Sequence, residues 1–177
     1  LTRSVGQVKR GDVESQKRIN LDAARGPTGD RKGTDSDEKR EFEMRERAQL
    51  VDLKGQIEAL IEASSTLRAM RNQLIMDITT EGLRIQIVDE KNRPMFASAS
   101  ADLQPYTREL LRSIGGVLNS VDNRISLSGH TDAARYAGGA AGFSNWELSA
   151  NRANASRREL IAGGLEADKV IRVVGLA

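Results

Sequence analysis

The spacing of hydrophobic positions divides the chain into a polar beginning and a patterned remainder. Residues 1–37 show no sustained periodicity and contain the run RGPTGDRKGTDSD, which is rich in helix and strand breakers. This composition predicts a flexible linker that is mostly disordered on its own. Apolar residues then begin to recur, first at helical and later at strand-like spacing. We therefore predict a helical segment over 38–72 and a folded domain over 73–177.

The helical segment contains an apolar stripe in which residues recur every three or four positions from Leu50 onward. Either Ser36 or Asp37 is a suitable cap for the start of the helix. The stripe is only about two heptads long, which is short for a coiled coil that stands alone. Two interpretations therefore remain open: a helix that pairs two copies of the chain, or one that packs on its own domain.

The domain shows the patterns of four strands and two helices. Alternating apolar residues flank Gly82 and predict a β-hairpin, whereas wider apolar faces and glycine-rich breaks mark the helices. The predicted elements are a hairpin over 74–88, a helix over 105–119, a strand over 124–129, a helix over 145–162 and a strand over 169–175. This ββαβαβ order indicates an α+β sandwich with helices on one face of a mixed sheet.

The second of these helices has well-marked ends. Ser144 and Glu147 have the spacing of a capping box, and Gly163 is a suitable left-handed cap at the other end. Helical spacing predicts a polar face and an apolar face that contacts the sheet. The predicted polar face comprises Asn145, Ser149, Arg152 and Ser156; the predicted apolar face comprises Trp146, Ala150, Ala153 and Leu160.

Composition excludes several classes of function. Lysine and arginine exceed acidic residues by only two, and the basic residues do not cluster, so a nucleic-acid partner is not expected. Aromatic residues make up 3% of the chain, which is too few for a base-stacking surface. The absence of cysteine excludes disulfides, thiolate chemistry and the usual structural zinc sites. No apolar run reaches the roughly 18 residues of a membrane helix.

The segment SGHTD, residues 128–132, contains the single histidine of the chain and follows a predicted strand. Ser128, His130 and Asp132 alternate along an extended segment, and this spacing is too long for a hydrogen-bonded catalytic relay. One histidine without cysteines or a carboxylate ladder does not predict a metal site. We therefore expect neither catalysis nor a bound metal or other cofactor.

A third interpretation is electrostatic recognition of a small zwitterion. Arg152 and the amino end of the following helix suit a carboxylate, whereas Asp132 at the end of the strand suits an ammonium group. A plain structural ion pair between the same two residues explains the pattern equally well. The residues alone leave both alternatives open.

The same residues carry a family resemblance. The segments ISLSGHTD, SNWELSANRANASRREL and KVIRVVGLA resemble the OmpA-like peptidoglycan-binding domain, and more narrowly the MotB family of flagellar motor stator proteins. Upstream, Phe96, Ser100 and Pro105 match landmarks of that family. The resemblance covers residues from about 74 to 177. Asn151 departs from the pattern, because close relatives often have Asp at that position.

This resemblance implies non-covalent binding of peptidoglycan through the diaminopimelate of its stem peptide, without enzymatic activity. Asp132 matches the family's ligand-binding aspartate and Arg152 its ligand-binding arginine. Thr131, Asn145 and Leu148 match positions around the pocket. Another OmpA-like anchor, such as a lipoprotein or a secretion-system component, is the alternative. An enzyme that cleaves the cell wall is disfavoured, because the sequence offers no nucleophile or paired acids.

The resemblance also implies a cellular location and a set of partners. It predicts the periplasmic part of a single-pass inner-membrane protein, with a transmembrane helix before Leu1 and a further helix and strand after Ala177. The expected partners are peptidoglycan, a second copy of the chain and the channel-forming stator subunit, with the flagellar P-ring or other basal-body proteins as further candidates. Residues 1–37 and the helix after them would then serve as an extensible arm.

Overall fold

The computed structural model describes residues 32–131 and 144–176, and it has the predicted α+β class and ββαβαβ order. Single turns of 3₁₀ helix precede β1, follow α3 and precede β4. The helices are α1 (Lys32–Ala63), α2 (Ser65–Arg68), α3 (Pro105–Val117) and α4 (Asn145–Ala162); the strands are β1 (Leu74–Thr79), β2 (Gly82–Ile87), β3 (Ile125–His130) and β4 (Val170–Leu176).

Helix α1 begins earlier than the sequence pattern predicts. It starts at Lys32, so its first residues belong to the segment predicted as linker, and the prediction of Ser36 or Asp37 as a cap is wrong. Asp35 lies in the first turn, where a carboxylate interacts favourably with the positive end of the helix dipole. The polar stretch over 32–37, with its acidic residues, therefore belongs to the helix and does not precede it.

The apolar stripe of α1 packs on its own domain. Leu50, Leu53, Ile57 and Ile61 are each at most 4% exposed and belong to the same core cluster as residues of the strands and of α3. Phe42 and Met44 lie earlier in α1 and are exposed. Of the two interpretations that the sequence left open for this stripe, the structure therefore shows a helix that packs on its own domain.

Strands β1 and β2 form the predicted antiparallel hairpin. Leu74 pairs with Ile87, and the register continues to Thr79 opposite Gly82. Gly82 has φ of 128°, a conformation that side chains of L-residues rarely adopt, and this explains the glycine at the end of the turn. The alternating apolar residues of both strands thus lie on one face of the hairpin, as predicted.

Strands β3 and β4 pair in parallel and are connected through α4. Among the described residues, hydrogen bonds therefore join the strands in two pairs, one antiparallel and one parallel, which are the two orientations of the predicted mixed sheet. Chain connection explains both pairings, because a two-residue turn permits antiparallel strands and a helical crossover permits parallel ones. Helix α4 packs against both strands of the parallel pair.

Helices α3 and α4 approach each other closely at two glycines. A Cβ atom on Gly115 of α3 would lie 2.2 Å from the carbonyl oxygen of Leu160, and one on Gly163 would lie 2.0 Å from that of Arg112. Gly163 has φ of −83°, and the left-handed conformation falls on Gly164, with φ of 107°. The prediction of Gly163 as the left-handed cap was therefore wrong, because close packing and not backbone conformation requires that glycine.

Candidate functional site

Helix α4 begins with a capping box. The backbone N–H of Ser144 donates to Oε2 of Glu147 over 2.6 Å, and the hydroxyl of Ser144 accepts from the backbone N–H of Trp146 over 3.3 Å. The Ser144 hydroxyl also donates to Glu147. These hydrogen bonds lower the pKa of Glu147, because they favour its ionised form. The start of α4 is thus fixed as the sequence predicted.

Two strand glycines bring α4 close to the parallel sheet. A Cβ atom on Gly129 would lie 2.1 Å from the carbonyl oxygen of Ser149 and 2.9 Å from the backbone nitrogen of Ala153. A Cβ atom on Gly175 would lie 2.6 Å from the backbone nitrogen of Ala150. The helix backbone therefore rests directly on β3 and β4, and only small side chains fit between them.

This close approach corrects the predicted faces of α4. Ser149 and Ser156, which were predicted on a polar face, are 0% and 2% exposed, whereas Trp146 is 61% exposed. Both serine hydroxyls donate to backbone carbonyls of their own helix, so the residues are buried without unpaired polar atoms. A tryptophan does not fit where the backbones nearly touch, so size and not polarity determined which residues face the sheet.

Arg152 is half-buried on α4 and is held at two points by the segment before α3. Its Nε donates to the carbonyl oxygen of Ser100 over 3.0 Å. Its Cζ lies 4.9 Å from the centre of the Phe96 ring, which is within the range of a cation–π contact. In the sequence, Phe96 and Ser100 are recognisable only as family landmarks, and their contacts with Arg152 were not predicted, because residues so far apart along the chain give no sign of proximity.

Residues 96–103, which we call the support loop, form a closed turn. The backbone N–H of Ala97 donates to the carbonyl of Asp102 over 2.8 Å, and Phe96 forms an isolated bridge with Leu103. The Ser100 hydroxyl donates to Oδ2 of Asp102 over 2.8 Å and accepts from its backbone N–H over 2.9 Å. These bonds fix the direction of the Ser100 carbonyl that Arg152 uses.

The other predicted site residues lie at the end of β3 and the start of α4. Thr131 is 3% exposed, and its backbone N–H donates to the carbonyl of Leu176 over 3.3 Å. Its hydroxyl oxygen is buried and makes no hydrogen bond within the described part of the chain. Asn145 is half-buried at the first position of α4, and Leu148 is buried one turn later.

Asp132 and the glycine-rich loop after it lie outside the described residues. The pairing of Asp132 with Arg152 therefore stays a prediction. Asn151 is exposed on α4, and within the described part of the chain no hydrogen bond or ion pair of its side chain accounts for the departure from the family pattern.

Within residues 32–131 and 144–176, no three His, Cys, Asp or Glu side chains come together in a way that would hold a metal ion. Among the helices described, none combines the length and hydrophobicity needed to cross a lipid bilayer.

Comparison with known sequences gives a family match. The OmpA family profile matches residues 95–177. Motility protein B of Escherichia coli K12 is 59% identical over 132 residues, which cover 75% of this chain and 43% of that protein. A protein of the same strain, described as a truncated flagellar export/assembly protein LafU, is 35% identical and is covered over 68% of its length. The chain therefore spans less than half of motility protein B.

Comparison with solved structures supports the same fold. A crystal structure of a MotB-like protein from Desulfovibrio vulgaris matches 74% of this chain and 78% of its own, with a TM-score of 0.53. The two sequences are 17% identical, so this likeness concerns the fold alone.

Proposed function

The chain belongs to the OmpA family, and we propose that it anchors a flagellar motor stator complex to peptidoglycan. Binding is non-covalent and directed at the diaminopimelate of the stem peptide, which carries both an ammonium and a carboxylate group. The function is mechanical: the chain holds the complex in place and catalyses no reaction. The 59% identity to motility protein B favours a stator over another OmpA-like anchor.

One observation carries this proposal: the end of β3 packs on α4 beside Arg152. Gly129 lies against the backbone of Ala153, the residue next to Arg152. Only three peptide steps lead from Gly129 to Asp132, so the two Cα atoms are separated by at most about 11 Å. This short reach along the chain supports the proposal that Asp132 and Arg152 bind the same ligand.

Arg152 suits the carboxylate of the ligand. A guanidinium presents parallel N–H donors that match the two oxygens of a carboxylate, which adds geometric selection to charge. The Phe96 ring lies within cation–π distance of this guanidinium, with Cζ 4.9 Å from the ring centre, and helps to hold the positive charge in place. Asp132 then receives the ammonium group of the same ligand.

Thr131, Asn145 and Leu148 complete the proposed pocket. The buried Thr131 hydroxyl is available to a polar group of the ligand, since no described residue hydrogen-bonds to it. Leu148 offers an apolar wall, and Asn145 lies where backbone N–H groups of the helix amino terminus favour negative charge.

The proposed setting is the periplasm, as part of a single-pass inner-membrane protein. The partners are peptidoglycan, a second copy of the chain and the channel-forming stator subunit, with P-ring or other basal-body proteins as further candidates. Two copies on one network gain avidity, so each contact can be weak. A purified chain that sediments as a monomer at high concentration would contradict the homodimer.

Co-sedimentation with insoluble peptidoglycan tests the proposal. We expect the wild-type chain to sediment with the polymer, and Asp132→Ala and Arg152→Ala to remain in the supernatant. Arg158→Ala is the matched control, because it removes an exposed arginine from the same helix. Circular dichroism establishes that each variant is folded. Equal sedimentation of all four proteins would refute the site.

A further inference from the structure

Helix α1 presents a second apolar stripe, and we propose that this stripe pairs with the same stripe of a second copy of the chain. We call this surface the outer stripe. It comprises Met44, Ala48, Val51 and Gly55, which recur at i, i+4, i+7 and i+11. That spacing places all four residues on one face of the helix. The inference rests on the proposed function, in which two copies act together, and assigns an interface to them.

The outer stripe is turned away from the domain on which α1 packs. Leu50, Leu53 and Ile57 belong to the buried stripe and are at most 4% exposed. At roughly 100° per residue, the outer stripe lies about 145° around the helix from the buried one. Met44 is 64% exposed and Val51 is 52% exposed. The packing of α1 on its own domain therefore leaves the outer stripe at the surface.

Gly55 has no packing role within the described part of its own domain. It lies inside α1, where glycine is less favourable than alanine because it loses more conformational freedom on folding. A Cβ atom on Gly55 would meet no other described element within 4 Å, whereas one on Gly115 or Gly129 would clash with a neighbouring backbone. A second helix along the outer stripe would meet an uncovered backbone at Gly55, and close contact there accounts for the glycine.

The outer stripe is short, but α1 is already folded when it pairs. Isolated helices shorter than about 12–15 residues are marginal in water, because their nucleation is unfavourable. Helix α1 has 32 residues, and its buried stripe belongs to the core of the domain. Pairing along the outer stripe therefore requires no folding of the helix. Four apolar positions on each copy then support a weak association, which avidity on one peptidoglycan network strengthens.

The charges beside the outer stripe suit a parallel pair. In heptad terms Val51 is a d position and Ala48 an a position, so Arg47 occupies g and Asp52 the following e. In a parallel pair, g of one helix lies beside the following e of the other, so Arg47 would face Asp52 of the second copy. Asp52 uses only Oδ2 within its own helix, where it accepts from Gln56 over 2.6 Å. Opposite charges therefore meet on both sides of the stripe.

The remaining charges of this face are paired within their own helix. Ion pairs join Arg40 to Asp37, Arg45 to Glu41 and Lys54 to Glu58. Arg40 would lie beside Arg45 of the second copy, but each of these arginines already has a carboxylate of its own helix. An antiparallel pair would instead place the basic g positions, Arg40, Arg47 and Lys54, beside the same basic positions of the second copy. The parallel arrangement is therefore the one we test.

Disulfide cross-linking reports the contact directly, because the chain contains no cysteine. Val51→Cys places a thiol in the outer stripe, where residues of equal number meet across a parallel pair. Gln49→Cys is the matched control, since Gln49 is exposed on α1 but lies off the stripe. Under mild oxidation of the full chain by dissolved oxygen, Val51→Cys should form covalent dimers at least about tenfold faster than Gln49→Cys. Equal rates for the two variants would contradict the interface.

Sedimentation equilibrium of the full chain measures the same association without a covalent bond. Val51→Glu sets two like charges against each other in the stripe and should raise the dissociation constant of the dimer at least about tenfold. Gln49→Glu adds the same charge off the stripe and should change it less than about twofold. Circular dichroism checks that both variants are folded, and if Val51→Glu is not, the cross-linking rates decide. A folded Val51→Glu that dimerises like the wild type would overturn the proposal.

A charge exchange tests the parallel arrangement. Arg47→Asp and Asp52→Arg should each weaken the dimer about threefold to tenfold, because each places like charges across the interface. The double variant restores opposite charges and should recover most of the loss. A double variant that is weakened by the product of the two single effects would show that these residues do not face each other.

The failure of the interface and the failure of the proposed function have different signatures. If Arg152→Ala binds peptidoglycan normally while Val51→Cys cross-links, the proposed pocket fails and the interface stands. If the wild type dimerises and Val51→Cys and Gln49→Cys cross-link equally, only the interface fails. A wild-type chain that remains monomeric at high concentration refutes the interface together with the homodimer, whereas the peptidoglycan experiment is unaffected.

Discussion

The Cζ atom of Arg152 lies 4.9 Å from the centre of the Phe96 ring, within cation–π range, although the two residues belong to different elements of the chain. Helix α4, which carries Arg152, also packs closely against β3 and β4, at Gly129 and Gly175. The position of the helix is therefore set from two directions, by the support loop and by the parallel strands. The packing of α4 and of the core around it has consequences for stability that can be measured.

Gly129→Ala should destabilise the domain and displace α4. The added Cβ would lie 2.1 Å from the Ser149 carbonyl oxygen, which is backbone and cannot rotate away. Overpacking of this kind costs about 1–3 kcal/mol, and more where backbone must shift. Urea denaturation measures the loss. Gly55→Ala is the control, since a Cβ there meets nothing within 4 Å and should stabilise α1 by roughly 0.5–1 kcal/mol.

Ile57→Ala should show that α1 is part of the folded domain. Ile57 is 0% exposed in the shared core, and truncation of such a side chain costs about 2–5 kcal/mol. Val51→Ala on the same helix is the control, because Val51 is 52% exposed and the change should stay within about 0.5 kcal/mol. Chemical denaturation that gives equal stabilities for the two variants would mean that α1 does not pack as described.

Lys169→Met should destabilise the junction between α3 and β4. Lys169 is 9% exposed, and its ammonium group donates to the carbonyl oxygens of Leu118, Asn119 and Val121, close to the end of α3. Methionine fills similar space but leaves these carbonyls without their donor, at a cost of about 1–3 kcal/mol. The exposed Lys91→Met provides the reference in the same thermal or urea unfolding experiment. Equal stability of both variants would contradict a stabilising role for the hydrogen bonds of the Lys169 ammonium.

The capping box should make the stability of α4 depend on pH. Hydrogen bonds from Ser144 lower the pKa of Glu147 in the folded chain, whereas the unfolded chain keeps the ordinary value of about 4.3. The stabilisation is therefore complete above that ordinary value and is lost as pH falls through the lower folded pKa. Glu147→Gln keeps a side-chain acceptor that does not titrate. The stability advantage of the wild type over this variant should shrink on acidification, and a constant difference would contradict it.

Local patterns predicted most of the elements. The hairpin, the capping box at Ser144 and the face of α3 around Leu110 depend on neighbours in the sequence, so their signals lie within short windows. The start of α1 was missed, because an acidic stretch resembles a linker unless the helix dipole is considered.

The contacts of the site were harder to predict, because they join distant parts of the chain. Trp146 was placed on the wrong face of α4, since hydrophobicity alone cannot show that two glycines bring backbones together. Arg152 was identified as a ligand-binding residue through the family resemblance, but its contacts with Phe96 and Ser100 depend on folding of the whole domain. Periodicity along one helix carries no information about such neighbours.

The central claim is that the pocket recognises an ammonium and a carboxylate on one amino-acid end, and a change in the ligand tests it most directly. Two stem peptides that differ only in diaminopimelate or lysine share the ammonium, but lysine lacks the second carboxylate. Calorimetric titration of the wild-type chain should give an affinity for the lysine peptide at least about tenfold weaker, since one charged hydrogen-bonded pair is lost. Equal affinities for the two peptides would contradict the account.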